Sequence, residues 1–343
     1  MKALVLEEKQ IVKLRDMDIN EEMNAHSVKI KITNVGICGS DIHYYKNGSI
    51  GPFVVNEPMV LGHEASGIVI EKGKNVRDLE VGDRVCMEPG IPNIRSRAYK
   101  EGMYNLDPDV AFWATPPIHG CLRETLIHPA DFTFKLPDKV SSQEGAIIEP
   151  LAIGVHAASK AHIKPGDTAV VIGAGTIGIV SALGCIAGGA GKVFISDIQE
   201  KKLEKISKIC PLITINTNKD DISELIKDET DGWGADIVIE ASGNQNVFDN
   251  LVDLLCPNGN IVLIGLPEQR VSIDVVKLLA KEANIRSVFR YCNDYKRAIE
   301  LVSSEKINVK PLITDVFNFE DSVEAIKYAS NMDPSSIKVQ VEF

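Results

Sequence analysis

The chain has 343 residues, of which 48 are Asp or Glu and 37 Lys or Arg, giving a formal charge of −11 at pH 7 and a pI near 5.2. That length suits about two domains, each able to bury a core, and 44% hydrophobic, 25% charged and 6% aromatic residues exclude disordered, collagen-like and coiled-coil compositions. The acidic balance disfavours nucleic acid and anionic lipid as partners, because like charges repel.

The N-terminal run MKALVLEEK meets Glu7 and Glu8 too early to form a signal-peptide core. The seven cysteines are odd in number and scattered, so no disulfide framework is visible and a reducing cytoplasm is expected. From residue 28 to about 136, VKIKITNVGI, GIVIEKG, GDRVCME and ETLIHPADFTFKLP alternate with period two between Gly, Pro and Asp turns. This predicts a β-rich, barrel-like first domain. The Pro-containing stretch from Glu88 to Pro117 interrupts it and reads as a long surface loop.

The middle changes character. DTAVVIGAG reads as a buried strand, TIGIVSALGCIAG as a helix, KVFISD as a strand and QEKKLEKISKI as a helix, followed by ADIVIEASG, a helical NVFDNLVDLL and the strand NIVLIGL. Such alternation predicts a doubly wound parallel sheet over 151–289. Residues 168–191 carry no charge and are long enough to span a bilayer. Seven of those 24 are Gly, however, and no second such segment exists, so no membrane is expected. The tail predicts a helix at DYKRAIELVSS, a strand and a helix at SVEAIKYAS.

Gly173, Gly175 and Gly178, with Ile177 between them, form G-x-G-x-x-G directly after a strand and at the mouth of a helix. In that context the first glycine permits the turn, the second admits a pyrophosphate and the third allows close packing of helix on strand. Asp197 stands nineteen residues beyond Gly178 at the end of the next strand. A carboxylate there accepts hydrogen bonds from an adenosine ribose and repels a 2′-phosphate, which favours NAD over NADP; Lys202 is the nearby opposing charge. Cys38 in CGSD and His63 with Glu64 in GHEASG supply thiolate, imidazole and carboxylate, a donor set suited to zinc.

These two segments resemble the zinc signature of medium-chain dehydrogenases, and the βαβ unit follows where that family has it. More narrowly, NGSIGPFVVNEPMVLGHEASG, EPGIP, YNLDPD, ATPP, IIEPLAIGVHA, VFRYCN and NVKPLIT resemble sorbitol (L-iditol) and xylitol dehydrogenases. The resemblance implies an α/β chain with a GroES-like catalytic zinc domain at 1–150 and 290–343 and a Rossmann NAD-binding domain at 151–289. It implies zinc on Cys38, His63 and Glu64, with Glu149 ligating directly or through water and Asp41 hydrogen-bonded to a ring nitrogen of His63. Tyr44, Phe53, Glu149, Arg290 and Tyr291 would line the polyol pocket, and Val288 and Phe289 would touch the nicotinamide. Proton removal is assigned to zinc-bound water with Glu149 and to a relay through Ser40, which His43 would extend.

Alternatives stand beside these roles: Glu149 as a helix-initiating acid before Pro150, Arg290 as a surface charge, Tyr44 and Phe53 as core aromatics and His43 as an ordinary polar residue. Many relatives carry a second, structural zinc in C-x2-C-x2-C-x7-C, where this chain has Asn93, Ser96, Tyr99 and Asp107. One catalytic zinc and no structural zinc are therefore expected, with Arg95, Arg97, Tyr99 and Tyr104 offering polar contacts in the loop. The expected reaction is zinc- and NAD-dependent oxidation of a polyol at C2 to a ketose, by a homotetramer or dimer paired through sheet edges near NIVLIGL. The rival readings are a butanediol or threonine dehydrogenase of the same family and a non-catalytic NAD-binding protein.

Overall fold

The alternating segments between residues 27 and 135 form antiparallel strands in the computed structural model, which describes residues 1–331 and 333–343. The chain divides into two units, Met1–Glu149 with Ala298–Phe343, and Pro150–Arg297.

The first unit is β-rich. Its main sheet runs Thr133–Lys135, Arg84–Met87, Glu64–Lys72, Ser27–Gly36, Lys338–Glu342, Ile313–Asn318, with Thr125–Pro129 also paired to Ser27–Gly36. Val28, Ile30, Ile32 and Val35 of the central strand are fully buried in one core with Leu61, Val69, Leu122 and Val341. Each such side chain contributes about 1.5–3 kcal/mol by leaving water. Register matters more for the site: Gly36 stands opposite Glu64 on one side and opposite Gln340 on the other. Laterally paired residues share a face, as do residues two apart along a strand. Glu64, Gly36, Gln340 and Lys338 therefore lie on one face of the sheet.

The stretch 88–117 is more ordered than a surface loop. Strands Gly90–Ile91 and Ala111–Phe112 pair, Ser96 caps the short helix Arg97–Lys100, and Glu88, Asn105, Asp107 and Trp113 are buried. The four positions that replace the cysteines are tied by hydrogen bonds and ring contacts. Asp107 accepts from the backbone amides of Asn93 at 2.6 Å and Asp109 at 3.1 Å, and Ser96 Oγ accepts from the Tyr99 amide. The Tyr99 ring meets Tyr104, whose hydroxyl donates to Glu88 at 2.7 Å. Of the loop's two arginines, Arg97 pairs with Glu101 on the exposed surface.

Glu149 does not initiate a helix. The helix runs Ser142–Ala161 with Pro150 inside it, and its start is a capping box: the Glu144 amide donates to Ser141 Oγ while the Ser141 amide donates to the Glu144 carboxylate.

The second unit holds a six-stranded parallel sheet in the order Ile213–Asn216, Lys192–Asp197, Thr168–Ile172, Ala235–Glu240, Leu255–Leu263, Asn284–Ser287. Strand order reverses beside Thr168–Ile172, the place where doubly wound sheets open a crevice at their carboxyl ends. The uncharged stretch 168–191 is this strand plus the helix Thr176–Ala187, and among the described residues no helix is long and apolar enough to cross a membrane. NVFDNLVDLL yields only the 3-10 helix Gln245–Asn250. NIVLIGL falls in an interior strand bonded on both sides, so the expected pairing edge is displaced to Asn284–Ser287.

His128 in the first unit is fully buried, with Nε2 2.9 Å from the Glu88 carbonyl and its ring against Trp113. Burial pulls it from its ordinary 6.5 down to about 3. Between those values the unfolded chain binds a proton that the folded chain refuses, so stability falls as pH drops below 6.5. Going from pH 7 to 5 should cost wild type about 2 kcal/mol more than His128→Gln in urea unfolding; equal losses would refute this.

Candidate metal centre and nucleotide turn

The helix Gly39–Asn47 opens directly after Cys38, and Asp41 lies in its first turn. The buried Asp41 carboxylate accepts from the backbone amides of Cys38 at 3.0 Å and Gly62 at 2.9 Å. One side chain thus fixes the backbone at Cys38 and immediately before His63. The expected bond from Asp41 to the His63 ring is absent: the closest approach is 4.0 Å, beyond hydrogen-bonding range, with the carboxylate turned to the two amides instead. The His63 ring rests against Phe112, centroids 5.7 Å apart.

The Cys38 thiol, a His63 ring nitrogen and a Glu64 carboxylate oxygen lie within 4.8 Å of one another. Sulfur, nitrogen and oxygen donors so grouped fit zinc. The electrostatics fit a cation as well. Burial opposes charge on His63, yet the charge and hydrogen bond of Cys38, with Asp41 and Glu149, outweigh it and push the imidazole up to about 10. The groups around His63 therefore favour positive charge in this pocket.

Two residues of this centre escaped the sequence reading. Lys338, 3% exposed, donates to both Glu64 oxygens at 2.8 Å and to the Ile37 carbonyl at 3.1 Å. Burial disfavours its charge, but Glu64 chiefly, then Cys38 and Glu149, hold its pKa above the ordinary value. Gly36 leaves the path open: a Cβ there would stand 2.0 Å from Glu64 Oε2. The only advance signal was general, that a buried carboxylate requires a counter-charge; in the alternating strand KVQVE, Lys338 stands at a polar position that period two alone would turn to solvent.

The other first-unit candidates lie on several elements of that unit. Glu149, 3% exposed within the helix Ser142–Ala161, acts on His63 and Lys338 through its charge. Ser40 is half-buried and His43 exposed on the helix after Cys38. Tyr44 packs in the core, whereas Phe53 is exposed beside a cavity with Pro52, Glu57 and His119.

In the second unit the glycine turn has the stereochemistry the motif demands. Gly173 has φ 100° and lies so close to Ser242 that a Cβ would approach its backbone to 2.9 Å; a Cβ on Gly178 would meet the Gly173 carbonyl at 1.8 Å. Gly175 caps the helix Thr176–Ala187. Asp197 accepts from the Ala174 amide at 2.9 Å and the Gln199 amide at 3.0 Å, which fixes a carboxylate beside the turn. Ile177 and Lys202 are half-buried near it in sequence. Buried Glu240, also not foreseen, accepts from the amides of Ser242 and Gly243 and so braces the loop against Gly173.

Val288 donates its amide to the Leu263 carbonyl, and Phe289 is exposed. Arg290 has φ 58° and lies over the Phe289 ring at 4.8 Å, while buried Tyr291 packs on Tyr295.

A nucleotide-type sheet in one unit and a Cys-His-Glu centre in the other define, as a class, a metal-dependent dehydrogenase. Residues 24–138 match the family model for the alcohol dehydrogenase GroES-like domain and residues 176–304 that for zinc-binding dehydrogenases. A putative D-xylulose reductase of Rhizobium meliloti (strain 1021) is 51% identical, covering 99% of each chain. A D-xylulose reductase of Morganella morganii is 51% identical over 96% of this chain and 98% of its own. The solved structure of an Escherichia coli oxidoreductase/dehydrogenase of unknown specificity superposes with a TM-score of 0.94 at 35% identity, covering 99% of this chain and 98% of that one. The chain belongs to the zinc-dependent medium-chain dehydrogenases, of the sorbitol and xylitol dehydrogenase type, with the GroES-like and Rossmann architecture of that family.

Gly36→Ala should drive the Glu64 carboxylate off its path. Zinc retention in equilibrium dialysis should fall at least tenfold with an unchanged circular dichroism spectrum; undiminished retention would show that the carboxylate tolerates the methyl group.

Proposed function

We propose that this chain oxidises a polyol (xylitol, sorbitol or L-iditol) at C2 to the ketose, using NAD and one catalytic zinc. The observation that carries the reading is the triple of half-buried Cys38 with buried His63 and Glu64, ligand atoms within 4.8 Å, in a chain 51% identical end to end to a protein named for D-xylulose reduction, the reverse direction of the same carbon chemistry. Bound zinc and NAD supply Lewis acidity toward the substrate hydroxyl and a hydride acceptor.

The chain's own residues do the rest. Cys38, His63 and Glu64 hold the ion, and Glu149 ligates it directly or through water. Glu149 also takes up the alcohol proton, with Ser40 passing it toward exposed His43. Arg290, Tyr291, Tyr44 and Phe53 contact the polyol; polar groups matched to several hydroxyls reject simple alcohols, which would leave those groups unpaired. Gly173, Gly175, Ile177 and Gly178 receive the pyrophosphate, Val288 and Phe289 the nicotinamide. The fixed Asp197 carboxylate selects NAD, outweighing Lys202. With Asn93, Ser96, Tyr99 and Asp107 in place of four thiolates, a single zinc per chain follows. The seven free cysteines support a reducing, cytoplasmic setting.

The test is the initial rate of NAD reduction by xylitol and sorbitol, with and without prior zinc chelation. A chelator-sensitive rate restored by zinc is expected, and Arg290→Ala should lower polyol kcat/KM at least tenfold while leaving NAD affinity within threefold. Turnover of butanediol or threonine but not of polyols would move the assignment to those alcohols. NAD binding without any zinc-dependent turnover would favour a non-catalytic role.

The free sheet edge Asn284–Ser287 and the nearby exposed Val275, Val276, Leu279 and Ile285 support assembly into a dimer or tetramer through that edge. Light scattering should give at least twice 37.4 kDa; a lone 37.4 kDa species would exclude it.

A further inference from the structure

The Lys338 ammonium donates to three acceptors, the two oxygens of Glu64 and the carbonyl of Ile37. Three protons meet three acceptors, so the group is satisfied without water. Glu64 reaches it across Gly36, from one neighbour of the central strand to the other. The same carboxylate belongs to the triple with Cys38 and His63. A full positive charge thus already sits on the carboxylate that a metal would use.

We propose that Lys338 is a built-in counter-cation that sets the metal affinity. It neutralises Glu64 in the metal-free chain, keeps that pocket folded and thereby leaves the metal more loosely held and exchangeable. This rests on the reading that Cys38, His63 and Glu64 hold a divalent ion.

The sign follows from linkage. Removing one partner of a buried ion pair leaves an uncompensated charge and destabilises the fold strongly. That penalty falls in full on the metal-free chain. In the metal-bound chain the ion itself neutralises Glu64, so the penalty is smaller. A substitution that raises the free energy of the metal-free state more than that of the bound state tightens binding by the difference. A lysine that served only to aim the carboxylate would give the opposite result, because its loss would scatter a ligand.

Zinc affinity, measured by competition with a chromophoric chelator, and thermal unfolding of metal-free and zinc-loaded full-length protein separate the two. Lys338→Met should bind zinc at least tenfold more tightly than wild type, with its metal-free unfolding midpoint lowered more than its zinc-loaded one. Unchanged or weaker zinc binding overturns the proposal and leaves the metal site standing; a wild-type chain that binds no zinc overturns both. A Lys338→Met chain that folds only with zinc supports the proposal. If it folds in neither state, Lys338→Arg decides, since it keeps the charge: zinc affinity within threefold of wild type is expected, and a tenfold change in either direction overturns the proposal.

Discussion

A carboxylate and an ammonium, both 3% exposed or less, face each other in the interior of the first unit. Neither is tolerable there alone, because the cost of desolvating a charge is met only by a partner with good geometry and by satisfying the remaining protons. That requirement constrains much else. It needs Ser27–Gly36 to lie between Glu64 and Lys338 in a register that puts Gly36, and no larger residue, between them. A slip of one residue would send all of these side chains to the opposite face. The strand register of the sheet and the chemistry of the metal centre are therefore one constraint.

The second unit solves an analogous problem without charge pairing. Its turn needs backbone close enough to a ligand to offer amides, and steric exclusion does the selecting: Gly178 is pressed onto the Gly173 carbonyl, and Gly173 onto Ser242. Charge enters at the periphery. Asp197 and Glu240 both accept backbone amides beside the turn, so two carboxylates stiffen the loops by hydrogen bonds about twice as strong as neutral ones. Under the proposed reading Asp197 has a second role, since a fixed negative charge there would discriminate between ribose and its phosphate.

Much of this was legible because it is local. The glycine spacing, the strand before it and the acid after it lie within thirty residues, and periodicity places all three in their elements. Residue type singled out Cys38, His63 and Glu64 only weakly and the family resemblance grouped them; their ligand atoms lie within 4.8 Å of one another. Lys338 was not, because it lies 274 positions from Glu64 and only the closing of the sheet by the final strand brings them together. Asp41 was noticed but given the wrong partner: the family resemblance implied the imidazole, whereas the carboxylate accepts the backbone amides of Cys38 and Gly62. The alternative reading of Glu149 as a helix start, suggested by Pro150, fails because the capping box at Ser141, eight residues earlier, had already opened the helix.

In the segment 88–117, Asn93, Ser96, Tyr99 and Asp107 are tied by hydrogen bonds and ring contacts, which can be weighed against a four-thiolate zinc site. Four thiolates on zinc hold a loop with an apparent 10–16 kcal/mol, whereas a hydrogen bond to a charged group contributes about 1.5–3 kcal/mol. The Asp107 carboxylate, the Ser96 cap and the bond from Tyr104 to Glu88 together fall well short of a zinc cluster. Packing must make up the difference, and the pattern of burial says where: Trp113 lies against His128 and Phe112 against His63. The second contact joins the segment to His63 of the Cys-His-Glu centre. Order in 88–117 therefore bears on the surface against which the His63 ring rests.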